Sequence, residues 1–225
     1  MTSAASLSPG FLDELEPDDR EELVKLGSVR RYRRGDVLFH QGDDAGSVLV
    51  LMSGHVKTVQ LTGEGREIIL GFPGPGELLG ELSAVDGQPR SATVRALEDV
   101  DALALPGSAF RAFIEHRPRI AFVLLRAVIA RLREADRQRV DHAVHDVVVR
   151  VARRLVELTD RFGDADAEVV DTGLALTQDE LAAWAGASRE AVAKAIALLR
   201  TLGWVRTERR RIVVLDLPAL RRYAG

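Results

Sequence analysis

At Pro118 the texture of the chain changes, and no other feature limits the fold so sharply. Before it, from Ser28 to about Leu105, lie short β-prone runs: SVLVLM, HVKTVQL, EIILGF, ATVRAL and DALAL. Turn residues every eight to twelve positions or so, at Gly35-Asp36, Gly42-Asp43, Gly63-Glu64-Gly65 and Pro73-Gly74-Pro75-Gly76, describe an all-β sandwich or barrel. From Pro118 to about Val140 that rhythm is gone. Ala121, Leu125, Val128, Leu132 and Ala135 step by four and three, the spacing of a coiled-coil seam. A long helix with an apolar stripe needs something to cover it, and a second copy of the chain is the expected cover. Phe122 and Ile129 are the candidates for packing on the barrel of the same chain, and the seam turns polar at Arg139 and His142. Ahead of the β region, FLDELEPDDREELVKL sets Leu12, Leu15, Leu23 and Leu26 among acids and reads as short helices.

Past the long helix, His145-Asp146 breaks the pattern, and Asp146 is placed to cap a new helix running to Gly163. A polar loop, GDADAEVVDTG, separates it from LTQDELAAWAGA and SREAVAKAIALLRTLG. Thr177 with Glu180 has the spacing of a capping box, Gly186 ends the first helix and Ser188 caps the second. Val192, Ala195, Ile196 and Leu199 define a buried face, with Glu190 and Lys194 opposite and Arg189 at the exposed N-terminal edge. The runs WVRT and RIVVLD around ERRR close a hairpin. Helix, tight turn, helix, hairpin is the order of a winged helix-turn-helix. Arg189 can grip guanine and Glu190 can accept from cytosine, while Thr177, Gln178, Ser188 and Lys194 complete the expected DNA face. Arg206, Arg209, Arg210 and Arg211 on the hairpin suit phosphates.

Bulk composition excludes several chemistries. The 225 residues are 46% hydrophobic and 29% charged, so a packed core is expected and global disorder is not. There is no cysteine, which removes disulfides, thiolate metal sites and cysteine nucleophiles and accords with a reducing cytoplasm. No apolar run approaches the ~18 residues of a membrane span, and MTSAASLSPGF lacks the basic start and apolar segment of a secretory signal. Net charge is −3, unevenly spread. Residues 1–146 carry 18 Lys+Arg against 23 Asp+Glu, or −5; residues 147–225 carry 13 against 11, or +2. An acidic sensing part and a basic working part are the expectation.

Between β runs stands GELLGELSAVDGQPRSATVRA, residues 76–96, whose Gly-Glu and Arg-Ser suit a small anionic ligand. A helix start presents free N–H groups to an anion, a guanidinium matches phosphate, and Gly80 lets the backbone come close. Taken with the long helix and SREAV, this stretch resembles the cyclic-AMP receptor protein (catabolite activator) and fumarate-nitrate regulator family of bacterial transcription regulators, from about Leu7 to Leu215. The resemblance implies that Glu81 accepts from a ribose 2′-hydroxyl, that Arg90 and Ser91 hold the cyclic phosphate, and that the amides of Gly80, Glu81 and Leu82 face it. It implies a cyclic nucleotide effector, cyclic AMP before cyclic GMP, a homodimer on a pseudo-palindromic TGTGA-like site, and RNA polymerase as a further partner. One departure stands out. Where members that sense cyclic AMP carry Thr-Ser or Thr-Asn on the long helix, this chain has Ala135 and Asp136. Asp136 can accept from an exocyclic amino group but sets a negative charge near an anion. Lys194 stands where a second base-reading arginine is common.

The expected fold is therefore α+β. A cyclic-nucleotide-binding β-barrel of the jelly-roll kind occupies 1–117, a long dimerisation helix and hinge 118–145, and a winged helix-turn-helix 146–225. Two rivals stay open. A relative with an empty or retuned pocket would act without ligand. A metal-dependent enzyme would use His142 and His145, one helical turn apart between Asp141 and Asp146. Neither a Gly-x-Ser-x-Gly elbow nor a Walker loop is present to support hydrolytic chemistry.

Overall fold

The computed structural model describes residues 10–163, 170–171, 176–208 and 211–225. The expected start of the chain, most of the polar loop after Gly163, and Arg209 and Arg210 lie outside the described residues. The chain divides into two compact units, one ending at Ala135 and the other beginning at Asp136.

In the first unit α1 (Pro17–Lys25) precedes eight strands: β1 (Ser28–Tyr32), β2 (Val37–Phe39), β3 (Ser47–Ser53), β4 (Val56–Leu61), β5 (Glu67–Gly71), β6 (Leu78–Leu79), β7 (Thr93–Ala96) and β8 (Val100–Pro106). They form two antiparallel four-stranded sheets, ordered β1-β8-β3-β6 and β2-β7-β4-β5. The strand alternation assigns the cores. On β3, Leu49 and Leu51 join Phe39, Val56, Val94 and Ala102 in one cluster. The intervening Val48 and Val50 join a second cluster with Leu103, Leu105, Leu12 from the turns before α1, where a helix was expected, and the helical residues Leu23, Phe110, Phe113, Ile120 and Val123. Both faces of β3 are thus buried, which explains why SVLVLM has no polar alternation.

The helical residues of that second cluster come from α1, from α3 (Gly107–Glu115) and from the start of α4 (Pro118–Val144). Ion pairs fasten the acidic N-terminal segment to this region: Arg117 with Asp19 and Glu22, Arg119 with Glu16, Arg126 with Glu14. Helix α4 extends to Val144, past the expected end near Val140, because the first strong break is His145-Asp146. Its barrel-facing side differs from expectation. Ile120 and Val123 are buried, whereas Phe122 is 68% exposed and Ile129 is exposed with it. The acid–arginine pairs and Ile120 set the helix's rotation, and Phe122, Leu125, Ile129 and Leu132 form the uncovered stripe.

In the second unit α5 (Val147–Phe162) is followed by β9 (Val170–Asp171), α6 (Gln178–Ala185), α7 (Arg189–Thr201), β10 (Val205–Glu208), β11 (Arg211–Val214) and α8 (Leu217–Ala224). The helix caps expected in this stretch are realised. The Asp146 carboxylate accepts from the Val149 amide, Thr177 and Glu180 close a reciprocal capping box, and Ser188 accepts from the Ala191 amide. Gly186 ends α6 at φ +59°, and a side chain there would overlap the His142 ring. Strands β9, β10 and β11 form one antiparallel sheet in the order β10-β11-β9. Val192, Ala195, Ile196 and Leu199 are buried as their spacing requires.

Two arginines one turn apart on α5 tie this unit together. Arg150 donates to the carbonyls of His145 and of Ala185, at the end of α6. Arg153 pairs with Asp141 near the end of α4 and donates to the Ala224 carbonyl at the end of α8, 2.5 Å away.

Candidate functional site

The cassette between β6 and β7 is built around one short helix, α2 (Glu81–Asp86). Gly80 is its N-cap at φ +79°, a conformation that L side chains rarely adopt. A Cβ at Gly80 would also overlap Arg90 Nη1, so the glycine is required twice. Gly87 ends the helix at φ +72° and turns the chain toward Pro89-Arg90.

Arg90 is 4% exposed. Its guanidinium lies 4.0 Å from the Phe39 ring centroid. Nη1 donates to the Gly80 carbonyl at 2.7 Å, Nη2 to the Ser47 carbonyl, and buried Nε has no hydrogen-bond partner among the described residues. Burial pushes the guanidinium below the ordinary arginine value, and the negative charges of Glu81 and Asp43 oppose that shift. A buried cation with an unused donor favours an anion beside it. Ser91 is exposed, and its hydroxyl makes no bond among the described residues. Leu82 is 44% exposed.

Glu81 is 2% exposed, and its carboxylate accepts from Arg131 Nη1 at 2.5 Å. Arg131 Nη2 donates to the Leu78 carbonyl at 2.9 Å. Sequence reasoning missed Arg131, Phe39 and the Ser47 carbonyl. A buried glutamate demands a cation, but no spacing rule points fifty residues ahead to Arg131 on α4. Asp136 belongs to the other unit, where it pairs with Arg139 at 3.1 Å.

The second surface is the helix-turn-helix. Arg189, Glu190, Lys194 and Gln178 are exposed along the starts of α6 and α7. Arg189 Nε lies 3.4 Å from Asp179 Oδ1, and Glu190 and Lys194 have no ion-pair partner among the described residues. The Thr177 hydroxyl is already spent, accepting from the Glu180 amide and donating to its carboxylate. Ser188 is likewise engaged at its cap. On the hairpin Arg206 folds back onto Glu208, which takes part of its charge.

Residues 29–117 match the model of the cyclic nucleotide-binding domain, and 149–223 that of the Crp-like helix-turn-helix domain. A CRP-like cAMP-activated global transcriptional regulator of Mycobacterium tuberculosis is 34% identical over 215 residues, 96% of each chain. The chain belongs to the CRP/FNR family of transcription regulators. The Cyclic AMP receptor protein of Thermus thermophilus is also 34% identical, over 85% of this chain and 86% of that one. The c-di-GMP responsive regulator CLP of Xanthomonas campestris has the same fold, with a TM-score of 0.79 at 23% identity, over 89% of this chain and all of that one.

This CRP/FNR-family chain is thus a DNA-binding transcription regulator with an effector-binding domain. The rival reading as a metal enzyme falls with that assignment, since the relatives are regulators. Three of its four side chains also have other partners. His142 Nδ1 is 2.7 Å from the Gln138 carbonyl, Asp141 holds Arg153 and Asp146 caps α5. No helix of the described residues is long and apolar enough to cross a membrane.

Proposed function

We propose that the chain acts as a homodimer whose β-barrel binds a cyclic nucleotide and whose winged helix-turn-helix reads a pseudo-palindrome with TGTGA-like half-sites. The observation that carries the effector reading is the buried Arg90 guanidinium with its unpartnered Nε, next to the exposed Ser91 hydroxyl and the first turn of α2. A cyclic phosphate would give that cation an anion and accept from the amides of Gly80, Glu81 and Leu82. The ribose hydroxyl would donate to Glu81, beside Arg131. The names of the Mycobacterium tuberculosis and Thermus thermophilus relatives favour cyclic AMP, with cyclic GMP second. Ala135 offers the base no hydrogen bond and Asp136 offers only an acceptor, so base selectivity is expected to differ from that of a Thr-Ser pocket.

The uncovered stripe Phe122, Leu125, Ile129 and Leu132 repeats by three, four and three and suits a two-fold seam between copies. DNA contacts are assigned to Gln178, Arg189, Glu190 and Lys194, with Thr177 and Ser188 holding the helix starts, and Arg209 and Arg210 reaching phosphates. RNA polymerase is the further partner and the cytoplasm the compartment of this reading.

A second reading is supported by Arg131. The Glu81 carboxylate and both Arg90 Nη groups already have protein partners, so the dimer would be competent without ligand. Calorimetric titration with cyclic AMP and cyclic GMP separates the two. Binding that Arg90→Leu abolishes supports the effector reading. No binding of either nucleotide at millimolar concentration, with DNA affinity unchanged by Arg90→Leu, establishes the ligand-independent one.

A further inference from the structure

Asp179 has no role in the reading above, yet it is the acid that faces the chief base-reading candidate. It is the second residue of α6, whereas Arg189 is the first residue of α7. The tight turn at Gly186 brings these two helix starts onto one surface, and the carboxylate stands 3.4 Å from Arg189 Nε. Both side chains are mostly exposed, at 70% for Arg189 and 65% for Asp179. An acid on a surface meant for phosphates opposes DNA binding in general, so its position calls for a specific benefit. Part of it is local, because an acid in the first turn stabilises α6 through the helix dipole. Glu180, in the same turn, already serves that purpose and closes the capping box. Asp179 points instead across to the neighbouring helix.

We propose that Asp179 is a positioning residue for sequence discrimination, holding the Arg189 side chain by its Nε edge so that both Nη groups face a guanine. This rests on the proposed reading of Arg189 as a base-contacting residue. Arginine loses considerable rotamer freedom when it grips a base, and an acid that restricts it beforehand lowers that cost. The fork left free by an Nε contact is the end-on pair of Nη groups, which matches guanine O6 and N7. Asp179 therefore works through Arg189: it favours guanine at one position by lowering the cost of ordering the arginine there.

The test uses the full-length protein and the half-site duplex that the unaltered protein itself enriches from a randomised library, with each base pair then changed singly. Affinities are measured at one salt concentration, with and without millimolar cyclic AMP. Asp179→Asn is expected to reduce discrimination at the base pair read by Arg189 about two- to tenfold, the range set by immobilising one long side chain. Discrimination at other positions is expected to persist, Asp179→Glu to restore part of the loss, and Asp179→Asn to add nothing at that pair in an Arg189→Ala background. If Asp179→Asn instead raises affinity for every duplex alike in both backgrounds, the acid is only a charge on the surface and the inference is overturned. If Arg189→Ala discriminates as the unaltered protein does, the base-reading assignment itself fails, a result distinct from the former.

Discussion

Arg131 on the long helix and Glu81 at the first turn of α2 form an ion pair that joins the cassette to α4 within the first unit. Glu81 is almost wholly buried, whereas the Arg131 side chain keeps 43% of its exposure. Such a pair is asymmetric. Removing the cation strands a buried carboxylate; removing the carboxylate leaves an arginine that water can reach.

Arg131→Leu is accordingly expected to destabilise the first unit by about 2–3 kcal/mol, less than a fully buried pair because the arginine is partly solvated. Glu81→Gln in the same background is expected to recover most of the loss. Differential scanning calorimetry of the single and double variants gives the comparison; equal losses in both would contradict the stranded-carboxylate argument.

Gly80→Ala is expected to cost about 1–2 kcal/mol from the left-handed backbone alone. It also displaces the Arg90 guanidinium, so calorimetric binding of a cyclic nucleotide is expected to vanish even under conditions where the fold persists. Denaturant unfolding and titration on one preparation check the two effects separately.

Leu132→Glu sets a charge in the uncovered stripe of α4. Sedimentation is expected to shift from dimer to monomer at micromolar concentration, with DNA affinity lost in parallel. Persistence of the dimer would mean that Leu132 does not lie in the seam.

Arg189→Ala is expected to cost about 1–3 kcal/mol at one G·C pair, relaxing preference there. Lys194→Ala on the same helix is expected to weaken binding and reduce its salt dependence. Competition measured across single-base variants at two salt concentrations distinguishes base reading from charge.

Arg153→Leu removes the link between Asp141 and the Ala224 carbonyl and is expected to destabilise the second unit by about 1–3 kcal/mol. Both tryptophans, Trp184 and Trp204, lie in that unit, so denaturant unfolding followed by tryptophan fluorescence reports on it alone. No change in that transition would mean that α8 is held by its apolar contacts without help from Arg153.

Much of this protein is determined within a few residues of chain. Asp146 with Val149, Thr177 with Glu180, and Ser188 with Ala191 are caps three residues apart, and side chain and amide meet there as soon as the helix forms. The buried face of α7 follows from its period, and the turns at Gly80, Gly87 and Gly186 from backbone angles that glycine adopts freely. These are what make the helix-turn-helix and the cassette legible in the sequence alone. Only the tertiary structure decided which stripe of α4 the barrel covers, because Phe122 and Ile129 are as apolar as Ile120 and Val123, and neighbouring elements fix the rotation. It also decided that Arg131 meets Glu81, that Phe39 lies beneath Arg90, and that Arg153 joins the ends of two helices. Those contacts rest on burial: a charge withdrawn from water takes whichever partner the packing brings near, and no periodicity along the chain records that choice.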